Sequence, residues 1–199
     1  ILFKTILSKL YHWKIYVVGS VEYQYPNHLF QAGYFLDKKY YDENTIDFKH
    51  LLLSEKNQSL LKDIQNSNSV GVHIRRGDYM TKQNLVIFGN ICTQKYYHDA
   101  IRIITEKVND AVFYVFSDDI SWVQTHLDIP NAVYVNWNTG ESSIYDMYLM
   151  SSCKYNIIAN STFSYWAARL NKKTNMVIYP SKWYNTFTPD IFPESWCGI

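Results

Sequence analysis

Cysteine, proline and glycine are all scarce in this chain of 199 residues, which holds three, five and seven of them. Cys92, Cys153 and Cys197 are odd in number and share no CxxC or Cys/His spacing, so neither a disulfide scaffold nor a zinc module is expected. Proline and glycine at this level exclude collagen-like and low-complexity chains. Excess charge of one sign is missing too: Lys+Arg 19 against Asp+Glu 18 leaves a formal net charge of +1, with no basic run. That denies the chain the electrostatic footprint of a nucleic-acid or membrane-surface binder, and any bound anion must be held by a local site. Long apolar runs are absent as well. The opening ILFKTIL is interrupted at Lys4, and no stretch approaches the roughly 18 apolar residues of a membrane span. A chain that starts on Ile1 rather than Met reads as a cut end, neither signal peptide nor anchor. The sequons at Asn57-Gln58-Ser59 and Asn160-Ser161-Thr162, and the tripeptide Arg76-Gly77-Asp78, are too short to carry weight.

Core material, by contrast, is plentiful: Tyr 18, Phe 10 and Trp 6, within a chain that is 47% hydrophobic. Short apolar runs at Ser69 to Ile74, Ala111 to Phe116, Ala132 to Val135, Asn156 to Ala159 and Met176 to Tyr179 read as strands buried on both faces. Helical spacing fills the gaps. Thr93 is placed to cap a helix with the face Tyr97, Ala100, Ile101, Ile104 and Val108, and Ser143 one with Ile144, Met147 and Tyr148. Such alternation predicts an α/β fold with a doubly wound parallel sheet. Upstream, Lys14 to Val18 reads as a strand, and Asp47 as the cap of a helix that turns Leu51, Leu52, Leu60, Leu61 and Ile64 inward. The polar tetrad Asn66-Ser67-Asn68-Ser69 reads as a boundary, giving a partial domain over 1–68 and an α/β domain over 69–199.

Ligands of open parallel sheets bind beyond the carboxyl ends of the strands, and three polar clusters occupy those ends. His73-Ile74-Arg75-Arg76-Gly77-Asp78 follows the first strand, Ser117-Asp118-Asp119 the second, and Asn160-Ser161-Thr162-Phe163-Ser164 the fourth. Two of the four arginines are the adjacent pair Arg75 and Arg76, and a guanidinium forks onto phosphate oxygens bidentately. Alternation sends the two to opposite faces, so one is free for a ligand phosphate while the other pairs internally, with Asp78 as the nearest partner. Ser161, Thr162 and Ser164 at a helix start over about 163–170 suit either a second anion cradle or plain N-capping. Asp118 and Asp119 either cap the next helix or accept from a guanine edge. Their adjacency does not suit a divalent ion, and no metal is expected.

Taken in order, VGVHIRRGDY, FSDD, YDMYLMSSCKYNIIANSTFSYWAARLN, VIYPSKWYN and DIFPESW resemble the motifs of glycosyltransferase family 11, the alpha-1,2-fucosyltransferases. The segment Gly33 to Tyr41 resembles that family's "GYFQSEKYF". The resemblance covers roughly Ile15 to the C-terminus. It implies a GT-B-like architecture with a Rossmann-type donor domain beside a partial acceptor domain. It also implies inverting, metal-free transfer of L-fucose from GDP-β-L-fucose to the 2-hydroxyl of a terminal galactose. Arg75 would then hold the pyrophosphate, with Arg76 beside it, and His73 would lie at the nucleotide. Asp118 or Asp119 would read guanine, and Asn160, Ser161, Thr162 and Ser164 would complete the phosphate cradle. Asp78 is the preferred base, with His73 and a residue outside this chain as the other candidates.

The family's opening "GGLGNQMFQY" is not matched, since no Gly-Gly pair occurs. A nucleotide-sugar-binding module without catalysis is therefore the competing reading, and alpha-1,6 transfer is a third. A cytoplasmic protein is expected, brought to the inner membrane where its glycan acceptor is lipid-linked.

Overall fold

The computed structural model describes residues 47–199 together with two short strands at 16–18 and 30–32. The chain divides into two compact units, residues 1–43 with 189–192 and residues 44–188 with 193–199. In the smaller unit, β1 (Tyr16–Val18) pairs in parallel with β2 (Phe30–Ala32). The first two residues of the strand expected from Lys14, and the Gly33 to Tyr41 motif, lie outside the described residues.

The larger unit alternates strands and helices: α1 (Glu55–Asn66), β3 (Asn68–Ile74), α2 (Lys82–Phe88), α3 (Gln94–Lys107), β4 (Ala111–Ser117), α4 (Ile120–His126), β5 (Ala132–Val135), α5 (Ser143–Ser151), β6 (Tyr155–Ile157), α6 (Thr162–Arg169), β7 (Met176–Tyr179) and β8 (Cys197–Gly198). All six of its strands are parallel, in the order β5-β4-β3-β6-β7-β8. This is the doubly wound parallel sheet predicted from the alternation, and it is Rossmann-like, as the family resemblance implies. Strand order reverses between β3 and β6, where Val72 lies beside Ile157, and this is the crevice at which such sheets hold ligands.

Alternation along β4 explains why both faces of the sheet are covered. Phe113 and Val115 face one way, onto Tyr97, Ala100 and Ile104 of α3 and Val123 of α4. Tyr114 and Phe116 face the other, onto Leu60 and Ile64 of α1 and Leu149 and Met150 of α5. Each fully buried aliphatic side chain contributes about 1.5–3 kcal/mol. On β3 the second face is narrow at Gly71, where a Cβ would stand 2.8 Å from Asn156 Nδ2 and 3.3 Å from Cys153 Sγ. Glycine is required there for close approach, not for backbone freedom.

Three boundaries differ from expectation. The helix read from Asp47 begins at Glu55, because the Ser54 hydroxyl accepts from Asn57 N at 3.3 Å. Asp47 instead closes a tight turn by accepting from Lys49 N, and Leu52 is 88% exposed. Ser143 is the first residue of α5, not its cap, and Ile144 is exposed. The tetrad Asn66 to Ser69 spans the last residue of α1, a one-residue turn at Ser67 and the first two residues of β3, inside the larger unit. Its side chains bind across the fold, Ser67 to the Tyr114 hydroxyl at 3.1 Å and Ser69 Oγ to Lys154 N at 3.1 Å, and the compact units part after Glu43. Among the described residues no helix is long and apolar enough to cross a membrane.

Candidate functional site

Residues 75–80 leave β3 at its carboxyl end and coil into a single 3-10 turn over Gly77–Met80. The neighbouring strand sets their charge pairing. Because Ile74 at the end of β3 is in register with Ser117 at the end of β4, Asp118 just past β4 lies beside Arg75 and Arg76 just past β3. Its Oδ1 accepts from Arg76 N at 2.9 Å and its Oδ2 meets Arg75 Nη1 at 2.8 Å. Asp78 takes the other arm of the same guanidinium, with Arg75 Nη2 to Oδ1 at 2.6 Å. Arg75 is therefore forked between two carboxylates while still about one-third exposed.

Arg76 points elsewhere. Its Nε contacts Asp119 Oδ2 at 3.3 Å and its guanidinium lies 3.6 Å over the Trp122 ring. Asp119 also caps α4, accepting from Trp122 N at 3.1 Å, while the Ser117 hydroxyl accepts from Asp119 N. The two arginines do diverge, but the expected pairing of Arg76 with Asp78 is replaced by Arg76 with Asp119. The reason is proximity: Asp78 lies three residues beyond Arg75 on the 3-10 turn, whereas Asp119 rises from the adjacent strand. Gly77 belongs to the same device, since a Cβ there would stand 2.5 Å from Asp118 Oδ2.

His73 is buried at 5% exposure, with its ring 5.1 Å from that of Phe163. Burial, reinforced by the nearby Arg75 charge, pushes its pKa down to about 3, so the imidazole is neutral at physiological pH. Its Nδ1 is buried without a hydrogen-bond partner. Buried polar atoms are nearly always paired, so this nitrogen is an exception among the buried groups of the unit. As a general base, an imidazole with so low a pKa is poorly matched to neutral pH.

Across the crevice, β6 runs into Asn160 and the start of α6. Ser161 occupies the cap position of α6, yet its side chain makes no capping hydrogen bond. The Ser161 hydroxyl therefore does not act as a plain cap, and it stands with Thr162 at the first turn of α6. Ser164 and Asn160 depart from the cradle expected of them. The Ser164 hydroxyl is fully buried and donates to the carbonyls of Ala159 and Ser161, both at 3.3 Å. Asn160 is a buried staple: its Nδ2 donates to Trp183 O at 3.0 Å and Phe88 O at 3.3 Å, and its carbonyl accepts from the Tyr79 hydroxyl at 2.9 Å. Cys92 completes this staple, in contact with Asn160 N and Oδ1 at 3.4 Å each, and burial pushes its thiol pKa up to about 12.

One group escaped the sequence reading. Asp146, in the first turn of α5 and beyond the end of β5, accepts from Asn138 Nδ2 at 2.6 Å. Asn138 is joined in turn to Asn57, and Asn57 to Trp137. Burial drives the Asp146 pKa up to about 7, against the opposing pull of the Asn138 amide. The available signal was an acid placed among the apolar residues of YDMYLM. Among the described residues, no group of three or more His, Cys, Asp or Glu side chains is assembled to hold a metal ion.

Comparison with known proteins joins this geometry to a family. The family model described as glycosyl transferase family 11 matches residues 3–199. An alpha-1,2-colitosyltransferase of Escherichia coli is 35% identical over 196 residues, covering 91% of this chain and 63% of that protein. The O-antigen biosynthesis glycosyltransferase WbnK of Escherichia coli is 44% identical over 122 residues, 60% of this chain and 40% of that protein. Galactoside alpha-(1,2)-fucosyltransferase 2 of Pongo pygmaeus is 28% identical over 163 residues, covering 75% and 48%. The chain thus spans between two-fifths and two-thirds of the length of these relatives. With its Rossmann-like sheet and the arginine pair at the switch point, the chain belongs to glycosyl transferase family 11.

Proposed function

We propose that the protein transfers a 6-deoxy-L-galactose-type sugar, L-fucose in the leading case, from its GDP conjugate to the 2-hydroxyl of a terminal galactose, without a metal ion. One observation carries this reading: at the switch point the arginine fork that follows β3, with the His73 imidazole at the end of that strand, and the uncapped N-terminus of α6 that follows β6 stand at the carboxyl ends of neighbouring strands. A nucleoside diphosphate needs such a set of donors. In the reaction the bond from the sugar to the β-phosphate oxygen breaks while the acceptor oxygen attacks the opposite face, so negative charge grows on the leaving diphosphate. Arg75 would exchange a carboxylate for that phosphate, and Ser161, Thr162 and the first amides of α6 would hold the other oxygens. His73 Nδ1 would reach the nucleotide, and Asp78, once released by Arg75, is the carboxylate at hand for the acceptor proton.

The guanine role expected of Asp118 or Asp119 falls to a different residue in this reading. Asp118 and Asp119 are committed to the arginines and to backbone amides, whereas Asp146 carries only an amide donor. An ionised Asp146 would accept from the guanine N1 and amino group.

Incubation of the protein with GDP-β-L-fucose and lactose in EDTA should give 2′-fucosyllactose, identified by linkage analysis. Binding of GDP without product, restored by a longer chain, would make this a donor-binding part of an enzyme. Colitose, the 3-deoxy counterpart of fucose, is the second reading, favoured by the 35% identity to a colitosyltransferase. GDP-colitose consumed in place of GDP-fucose would establish it.

A further inference from the structure

The loop after β3 carries a feature that donor binding leaves unused. Four rings are joined in series: Tyr79 stacks on Phe88 with centroids 4.6 Å apart, Phe88 meets Tyr184 at 5.4 Å, and Tyr184 stacks on Phe187 at 4.6 Å. The inner end stands at the proposed reaction centre, where the Arg75 guanidinium lies 5.6 Å from the Tyr79 ring and the Asn84 amide donates to Asp78 O. The outer end reaches solvent, with Phe187 38% exposed beside α2, whose Val86 and Ile87 are also exposed. This surface is fixed in place. Asn185 donates from its backbone to Ile87 O and from its side chain to Val86 O, and the Asn160 staple joins both segments below.

Composition selects the occupant. Between Asn84 and Ile91 and between Trp183 and Thr188 there is no charged residue, the nearest being Lys82 at the start of α2 and Lys182 before Trp183, while asparagine and threonine are interleaved with the rings. Neutral amides, hydroxyls and aromatic faces recognise uncharged pyranoses, whose apolar C–H faces stack on rings while their hydroxyls bond amides. The rings themselves carry no counter-charge for a basic peptide, and the two flanking lysines lie outside the uncharged stretches.

We infer that the surface formed by Tyr184 and Phe187 against α2 is the acceptor subsite, which seats a galactose-containing oligosaccharide beside the donor crevice. The inference rests on the transfer reaction proposed above and adds to it the residues that hold the acceptor. Phe187 is a specificity-determining contact, not a catalytic residue.

Saturation-transfer-difference NMR with lactose, in the presence of GDP, tests this on the intact chain. Wild-type protein should transfer saturation to the galactose C–H protons, Phe187→Ala should lose most of that signal, and Phe187→Trp should keep it. In turnover, Phe187→Ala should raise the lactose KM about tenfold, equivalent to ~1.4 kcal/mol, against an unmoved donor KM. No lactose signal from wild type, or one that Phe187→Ala leaves intact, overturns the subsite. Failure of fucose and colitose transfer would instead overturn the proposed reaction, and the lactose signal would still decide this surface.

Discussion

Arg75 Nη1 and Asp118 Oδ2 meet at 2.8 Å across the ends of two neighbouring strands, and Asp78 holds the other arm of the same guanidinium. The fork is thus already set by two carboxylates, and in the proposed donor binding a phosphate would replace one of them. Lysine supplies a point charge in place of a planar fork. Arg75→Lys should lower kcat/KM by about 10²–10³, the usual consequence of losing one preorganised donor, with an unchanged melting temperature. Near wild-type turnover in that variant would contradict the assignment.

Gly77 makes a sharper test, because it changes no charge. A methyl at this position would overlap Asp118 Oδ2, 2.5 Å away. The carboxylate must then swing aside and release both Arg75 and Arg76 N. Gly77→Ala should weaken GDP binding roughly tenfold by calorimetry, and Gly77→Ala combined with Asp118→Ala should be no worse than Asp118→Ala alone. Additive losses would show that the two residues act independently.

Asp146 predicts a pH signature. Its pKa in the folded protein is raised to about 7, above the value near 4 of an unfolded chain. A raised carboxyl contributes stability that is full below the unfolded value and is lost as pH climbs through about 7. A carboxamide in its place cannot ionise, so the melting temperature of Asp146→Asn relative to wild type should rise between pH 5 and pH 8. The proposed recognition of guanine would run the opposite way, since it needs the carboxylate. GDP should bind wild type more weakly at pH 6 than at pH 8, while Asp146→Asn should bind roughly tenfold to hundredfold more weakly with little dependence on pH.

Asn160→Ala should destabilise the unit. The carbonyls of Phe88 and Trp183 lose their buried donor, each at about 1–3 kcal/mol, and the fall should be plain in urea titration. GDP affinity should change far less than under Arg75→Lys, because Asn160 holds the frame and not the phosphate.

The sheet was legible because each strand is a short apolar run with nothing to mistake it for, as in Ala111 to Phe116, and because polar clusters stop abruptly at the strand ends. Pairing within those clusters was not. Whether Arg75 or Arg76 meets Asp78 depends on a single 3-10 turn and on β4 lying beside β3 with Ile74 opposite Ser117, a register no local pattern encodes. Ser161 and Ser164 illustrate the same limit: both are serines at a helix start, yet one hydroxyl lacks a capping bond and the other is buried against two carbonyls. β8 was missed because two residues, Cys197 and Gly198, are too short to show a period. Asp146 was missed because its significance comes from the Asn138 amide it accepts from, which is itself bonded to Asn57 of α1, far away in sequence.

The strand pair that frames the crevice joins Val70 to Tyr155, and everything from α2 to α5 lies in the loop between them. Closing so long a loop is entropically late in folding. Half the sheet, β3 to β5, can assemble from nearer neighbours, but the nucleotide crevice comes into being only with the last central pairing. A ligand held there should therefore slow hydrogen exchange of β6 more than that of β4, and protection of β6 would report completed folding as well as binding.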